Sequence, residues 1–284
     1  MGNTFLAIDE QQSRYDAAAC VVLPLPYEQT TSYGQGTAGG PRAIIEASAY
    51  VELFDEVYGC EIYKKGIHTD EPLRFSGRVE QDFRAIEQRA ARHLANDKFI
   101  VALGGEHSVS FPLYRAFHQK YDDLTVVQFD AHSDLRDSYE GSIYSHASVM
   151  KRIYDLNPRI VQLGIRSQCA EEAELIKKEG IQTVYAHKVR TQWPETVSKL
   201  RGNIYITFDV DFWDPSIMPA TGTPEPGGFL WDETLEVLEA VFKAGNVVGC
   251  DVVELSPLRG LSHPDFTTAK LVHKLITLKL KEQT

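Results

Sequence analysis

Cysteine is scarce in this 284-residue chain, with four residues, Cys20, Cys60, Cys169 and Cys250, and no C-x-x-C pair. That spacing excludes a zinc ribbon or a disulfide scaffold and leaves reduced, largely buried thiols as the expectation. Apolar runs long enough to span a membrane are missing, and the polar stretch from Met1 to Asp16 holds no apolar leader segment, so a soluble, cytoplasmic protein is expected. Positive charge is in deficit: 29 Lys and Arg stand against 40 Asp and Glu, a formal charge of −11. This argues against nucleic acid and against anionic membrane surfaces as partners and suits a small cationic substrate. No linker divides the sequence, and residues 1–284 read as one domain.

What is present is a series of short apolar runs alternating with amphipathic stretches. Runs at 18–25, 99–103, 124–128, 160–164, 183–185, 204–208 and 247–254 read as strands. Helices are expected from Pro41 to about Leu53, Gly77 to Asn96, Ser108 or Ser110 to Lys120, Ala147 to Leu156, Glu171 to Glu179, Asp232 to Lys243 and Phe266 to Leu280. In the second of these, Val79, Phe83, Ile86, Ala90 and Leu94 recur at the spacing of one helical face. Glu61-Ile62-Tyr63 reads as a short edge strand. Repeated strand–helix alternation implies an α/β fold with a parallel sheet and helices on both faces.

The chemistry concentrates where the strands end. Phe129-Asp130-Ala131-His132-Ser133-Asp134 follows one run, and its three polar side chains, two residues apart, would share a side if the extended conformation persisted. A lone D-x-H would be read as capping aspartates and a solvated histidine, but a second run ends in Asp209-Val210-Asp211 and a third in Gly104-Gly105-Glu106-His107. Parallel α/β sheets bind ligands outside the carboxyl ends of their strands, which is where these residues fall. Packed carboxylates resist ionising together unless a cation lies between them. The six candidates, His107, Asp130, His132, Asp134, Asp209 and Asp211, exceed what one tetrahedral ion needs and contain no thiolate. They point to a binuclear centre of hard ions, two Mn²⁺ per chain, and to metal-assisted hydrolysis.

With the segments Gly104-Gly105-Glu106-His107-Ser108, Phe129 to Asp134, Phe208-Asp209-Val210-Asp211 with Asp214-Pro215, and Asp251-Val252-Val253-Glu254-Leu255-Ser256-Pro257, nearly the whole chain resembles the ureohydrolases, the arginase and agmatinase family of binuclear manganese enzymes. The resemblance implies a three-layer α-β-α fold with about eight strands, a homotrimer or homohexamer, and attack of metal-activated water on a guanidinium carbon with release of urea and an amine. It implies that the six candidates hold the metals, some aspartates bridging, with Asp134 also counted among the catalytic groups. Glu254 would hold the guanidinium through paired N–H bonds, where the plainer reading is an ordinary loop glutamate. His146 would pass protons to the departing amine.

Arginine-specific members read Asp-Ile-Asn-Thr where this chain has Asp134-Leu135-Arg136-Asp137, which disfavours arginine. The segments Leu163-Gly164-Ile165-Arg166-Ser167 and Gly222 to Gly228 resemble the agmatinase branch. Agmatine, converted to putrescine and urea in polyamine biosynthesis, is therefore the expected substrate, with N1-aminopropylagmatine as a longer relative. Glu225, Asp137 or Glu140 could meet a positive tail. Arg136 is the counter-signal: it would suit a carboxylate-bearing substrate such as formiminoglutamate or guanidinobutyrate. A catalytically silent scaffold and an unrelated metal amidase or deacetylase are the alternatives from other classes. His68, His93, His187, His263 and His273 carry no ligand-like neighbours in sequence, His118 reads as a surface residue of its helix, and Trp193, Trp213 and Trp231 read as packing residues.

Overall fold

The computed structural model describes residues 4–281; Met1–Asn3 and Glu282–Thr284, the ends of the expected 1–284 domain, lie outside the described residues. Eight strands form one sheet: β1 (Cys20–Leu25), β2 (Ile67–Thr69), β3 (Phe99–Gly104), β4 (Thr125–Phe129), β5 (Ile160–Ile165), β6 (Gln182–Tyr185), β7 (Asn203–Asp209) and β8 (Asn246–Val253). Their spatial order is β2-β1-β3-β8-β7-β4-β5-β6, and every neighbouring pair is parallel. Apolar, largely β-branched segments form these strands because both faces of the sheet are covered. Pro24 is tolerated because β2 pairs with β1 only from Cys20 to Val22, so no ladder partner is lost at the proline.

The helices are α1 (Glu10–Ser13), α2 (Gly40–Ser48), α3 (Val79–Ala95), α4 (Ser110–Lys120), α5 (Val149–Leu156), α6 (Ala170–Glu179), α7 (Ala186–Ser198), α8 (Trp231–Ala244) and α9 (His263–Leu280). One apolar core packs Ile44 of α2, Val197 of α7, Val237 and Leu238 of α8 and Leu271 and Leu275 of α9 on one face of the sheet. The other holds Phe83, Ile86, Ala90 and Leu94 of α3 with Phe117 of α4, Ile153 of α5 and Ile176 of α6. The expected three-layer α/β architecture is therefore found.

Four local expectations need correction. Glu61-Ile62-Tyr63 is not the edge strand: Ile62–Lys65 is a 3-10 turn, Gly66 with φ +80° reverses it, and the edge strand follows at Ile67–Thr69. Helix α7 was not anticipated, because Pro194 lies inside it and its described residues show no sustained apolar stripe. Helix α9 begins at His263 rather than Phe266, since Pro264 fits the first helical turn, where its missing N–H has no partner to lose. Helix α2 stops at Ser48, short of Leu53.

The chain order places the site. After β3 the chain crosses to β4 and builds outward through β5 and β6, then returns so that β7 and β8 fill the gap between β3 and β4. The four central strands thus stand side by side, and their ends are level: Phe129 pairs with Phe208, Phe208 with Val252, and Leu103 with Val252.

Candidate metal centre and guanidino pocket

Just beyond those level ends the sequence supplies His107, Asp130, Asp209 and Glu254. His107 Nδ1 lies 3.1 Å from Asp130 Oδ2, 3.1 Å from Asp134 Oδ2 and 3.4 Å from Asp209 Oδ2. His132 Nδ1 lies 2.8 Å from Asp211 Oδ2 and 3.7 Å from Asp130 Oδ1. Two donor groups result, His107 with Asp130 and Asp134, and His132 with Asp130 and Asp211, each with its ligand atoms within 4.8 Å of one another. Asp130 belongs to both, and Asp209 stands against the first while its Oδ1 accepts the Asp211 N–H at 2.9 Å. All six sequence candidates come together.

They do not do so by strand alternation. β4 ends at Phe129, and Asp134 sits at φ +52°, in the left-handed region that a non-glycine side chain rarely adopts. The turn after β4 is fixed by its own carboxylates: Asp130 Oδ1 accepts the His132 N–H at 2.6 Å and Asp211 Oδ1 accepts the Ala131 N–H at 3.0 Å. Glu254 is likewise left-handed, at φ +67°, and its Oε1 accepts the His107 N–H at 2.6 Å. Strained backbone at two site residues is what a surrounding framework can hold in place and an isolated loop could not.

The electrostatics suit a site for cations. Burial raises Asp209 and Asp134, and neighbouring carboxylates, Asp211 and Asp130 for the first and Asp130 for the second, push further in the same direction. Burial also pushes Glu254 up to about 8. Burial works against charging the imidazoles, yet the carboxylates outweigh it: His107 is held well above its usual value by Asp130, Asp134 and Asp209, and His132 is raised to about 12, chiefly by Asp211. His107 Nδ1 is buried, faces three carboxylate oxygens and makes no well-formed hydrogen bond with any of them. A nitrogen lone pair and carboxylate oxygens converging on one point are a ligand set, and the all-oxygen and nitrogen donors suit hard divalent ions.

Residues that sequence reading passed over hold this set in shape. His107 Nε2 lies 2.9 Å from Thr207 Oγ1, whose own proton goes to Asp251 Oδ1 at 2.7 Å, with Tyr205 bonding the other oxygen of Asp251. Because the threonine proton is committed, Nε2 must be the donor, which leaves Nδ1 for a metal. Gln128 Nε2 donates to Asp130 Oδ2 at 2.7 Å and is backed by Gln162 and then Thr183 across β5 and β6. The signal in sequence was polar residues inside otherwise apolar strands: Gln128, Gln162, Thr207 and Asp251. Arg166 donates to the carbonyls of Asp211 and Trp213 and to that of Glu225 at 2.9 Å, tying the ligand turn to the loop above it.

The cleft over the centre has a volume of about 270 Å³ and is walled by Thr31 to Gly34, Arg136, Tyr139, His146, Thr221 to Thr223 and Glu225, with Glu254 at its floor. The Arg136 guanidinium lies on the Tyr139 ring at 5.2 Å, and that ring meets His146 edge-on at 5.8 Å. Glu225 Oε1 is 3.9 Å from His132 Nε2. Asp137 and Glu140 do not line the cleft: Asp137 is 85% exposed and paired with Arg152 at 3.0 Å. Outside the cleft, His93 Nε2 lies 2.8 Å from Asp70, His118 stacks on Tyr114, and His273 is buried with Nδ1 3.9 Å from Asp55. Cys20 and Cys250 are buried, whereas Cys60 and Cys169 are partly exposed; all four are free. Trp213 is buried, with its indole N–H on Thr234 at 2.9 Å. Among the described residues no helix is long and apolar enough to cross a membrane.

Known proteins share this fold and much of this sequence. The model of the arginase family matches residues 18–278. The chain is 40% identical to an N(1)-aminopropylagmatine ureohydrolase of Thermus thermophilus over 96% of its own length and 94% of the relative's. It is 35% identical to an agmatinase of Bacillus cereus over 92% of each. The agmatine ureohydrolase structure of Thermoplasma volcanium superposes with a TM-score of 0.89 at 30% identity, covering 98% of this chain and 94% of that one. With a family model spanning nearly the whole fold and relatives of full length, the chain belongs to the arginase family and is a hydrolase of guanidino groups.

Proposed function

We propose that this protein hydrolyses the guanidino group of a cationic alkylguanidine, N1-aminopropylagmatine first and agmatine second, releasing urea and a polyamine. The observation that carries the reading is Glu254: a buried carboxylate held by the His107 N–H at the floor of the cleft, directly beside both donor groups. Its free oxygen can accept the N–H bonds of a planar guanidinium and fix the carbon over the centre. Two Mn²⁺ ions held by His107, Asp130, His132, Asp134, Asp209 and Asp211 would acidify water and neutralise charge developing on that carbon.

The chain's own groups do the rest. Glu254 orients the guanidinium, Asp134 accepts a hydrogen bond from the attacking water, and His146 delivers a proton to the amine nitrogen as its C–N bond breaks. Glu225, 36% exposed at the cleft mouth, offers a carboxylate to a positively charged tail. The relative of Thermus thermophilus is named for the aminopropyl substrate and that of Bacillus cereus for agmatine, and the higher identity of the former sets the order. Arg136 favours a second reading, in which its guanidinium on the cleft wall pairs with a carboxylate tail, as in guanidinobutyrate or formiminoglutamate.

The assay is urea release by manganese-loaded protein on N1-aminopropylagmatine, agmatine, arginine and guanidinobutyrate, with formamide release from formiminoglutamate alongside. A preference for either polyamine precursor supports the proposal; a preference for an acidic tail makes Arg136 the reader and overturns it. The sparse, free cysteines support a cytoplasmic enzyme. A homotrimer or homohexamer would cover the exposed Tyr50, Phe54 and Val57, which light scattering tests.

A further inference from the structure

The loop before α2 is locked to the centre by Glu106. Both oxygens of this buried carboxylate are used: Oε2 accepts the Gln29 and Thr30 N–H groups at 2.6 Å each, and Oε1 accepts the hydroxyls of Thr30 at 2.8 Å and Ser108. Thr30 then faces His146 with the rest of its hydroxyl oxygen. Thr30 Oγ1 accepts the His146 backbone N–H at 3.0 Å and lies 3.3 Å from His146 Nδ1. The Ser145 hydroxyl lies 3.4 Å from the same nitrogen, while Nε2 is 3.5 Å from Ser32 Oγ, beside the cleft.

A threonine hydroxyl has one proton, and an ionised carboxylate can only accept. With that proton on Glu106, Thr30 offers the imidazole only lone pairs, so a protonated Nδ1 gains an acceptor there at 3.3 Å, while the Ser145 hydroxyl at 3.4 Å rotates to accept or donate and sets no preference of its own. We infer that Thr30, oriented by Glu106, is a positioning residue that holds neutral His146 as its Nδ1–H tautomer and so reserves Nε2, on the cleft side, for proton transfer. The same device acts on His107, where Thr207 has its proton committed to Asp251. In the reaction a proton released by the attacking water is taken up at Nε2 and passed to the amine nitrogen as the C–N bond breaks; the ring returns to neutral with its Nδ1 proton unmoved. This rests on the reading of His146 as the proton carrier.

The experiment is a double-mutant cycle on the manganese-loaded enzyme with agmatine, joined to ¹⁵N-histidine spectra of the metal-free protein. Thr30→Val, close in shape but without a hydroxyl, is expected to lower kcat about tenfold at unchanged bound manganese, and Thr30→Ser to restore it. In a His146→Asn background Thr30→Val should cost less than about twofold, because the residue through which it acts is gone. The spectra should show the Nδ1–H form for His146 in the parent and its loss in Thr30→Val. Equal losses in both backgrounds, or an unchanged tautomer, would overturn the inference while leaving the carrier role intact. A His146→Asn enzyme with undiminished kcat would overturn the carrier role itself, a separate result.

Discussion

Asp55 and Asp130 are both fully buried carboxylates beside a histidine, yet only the first has its charge balanced by a cationic side chain of the protein. Asp55 Oδ1 accepts the Lys274 ammonium at 2.8 Å and the N–H groups of Val57 and Tyr58 at 3.0 and 3.2 Å. Lys274, 1% exposed, also reaches Glu56 at 3.3 Å. Charge there is balanced by the protein itself, and the cluster sits away from the cleft, fastening α9 to the segment after α2. At the ends of β3, β4, β7 and β8 the account does not close: Asp130, Asp134, Asp209, Asp211 and Glu254 converge with two imidazoles, and no lysine or arginine side chain reaches their carboxylate oxygens among the described contacts. Burial plus pairing marks a structural ion pair; burial plus unmet negative charge marks a place built for a guest.

The comparison is broken most severely by removing the shared carboxylate. Asp130→Ala should abolish stoichiometric metal binding and lower kcat by about three orders of magnitude, since metal stabilisation of developing charge is worth several kcal/mol. Metal analysis and urea release check this together. Asp209→Asn gives the sharper contrast, because its effect should reverse with metal. In the metal-free protein it removes a carboxyl group whose ionisation burial, Asp211 and Asp130 all disfavour, so Tm should rise by about 2–4 °C. In the metal-loaded protein it should lose both activity and stability. A fall in Tm in both states would mean that Asp209 is held like Asp55, by the protein alone.

At the balanced cluster the opposite rule should hold. Lys274→Met leaves Asp55 buried and unpaired and should cost about 3–5 kcal/mol in denaturant unfolding. Adding Asp55→Leu should recover much of that loss, because both charges are then gone. Chelation should leave this unfolding difference unchanged.

The sequence separated these clusters only in part, for a physical reason. The metal candidates were legible because strand-end carboxylates at two-residue spacing, repeated on two apolar runs, have few structural uses. Nothing local marks Lys274 as the partner of Asp55: 219 residues separate them, and α9 shows its buried face only once its neighbours are in place. The fold class followed from alternating apolar runs. The placement of the edge strand failed because Ile62 and Ile67 are equally apolar candidates and the choice is made by Gly66, whose backbone reversal is visible only in three dimensions. Asp134 joins the cluster by a conformation other than the alternation expected of it, since the strand stops with β4 at Phe129 and Asp134 sits at φ +52°.

Acid should unmake the two clusters by different routes. His273 is buried with no hydrogen-bond partner at either ring nitrogen among the described residues, and burial, opposed by Asp55 and reinforced by Lys270 and Lys274, lowers its pKa to about 4. The folded value lies below the unfolded value of roughly 6.5, so its contribution is fully present above pH 6.5 and is lost as pH falls toward 4, in total about 3 kcal/mol. Urea unfolding of the metal-free protein between pH 7 and 4 measures it, and His273→Leu should flatten that slope. The imidazoles of the centre shift the other way: His132, at about 12 without metal, is protonated at neutral pH and must release its proton to ligate. Manganese affinity should therefore rise with pH, and calorimetry in buffers of different ionisation enthalpy should record proton release on binding.

The smallest expected effect lies at Arg166, a cation set beside the centre that neutralises none of its carboxylates. Its guanidinium is spent on carbonyls, Gly164 at 3.2 Å, Asp211 at 2.6 Å and Glu225 at 2.9 Å among them, so it braces the Asp211 turn against the Glu225 loop through a planar fork. Arg166→Lys keeps the charge and loses the fork, because a single ammonium cannot reach carbonyls on both segments. If Arg166 acted as the counter-charge of the cluster, lysine would substitute well and metal affinity would change little either way. If it acts as a brace, kcat/KM should fall about tenfold, mainly through KM as the Glu225 loop loosens, with two ions still bound. An unchanged KM would return Arg166 to the role of Lys274, a charge serving balance, and would erase the distinction between the two clusters at the one residue that touches the unbalanced one.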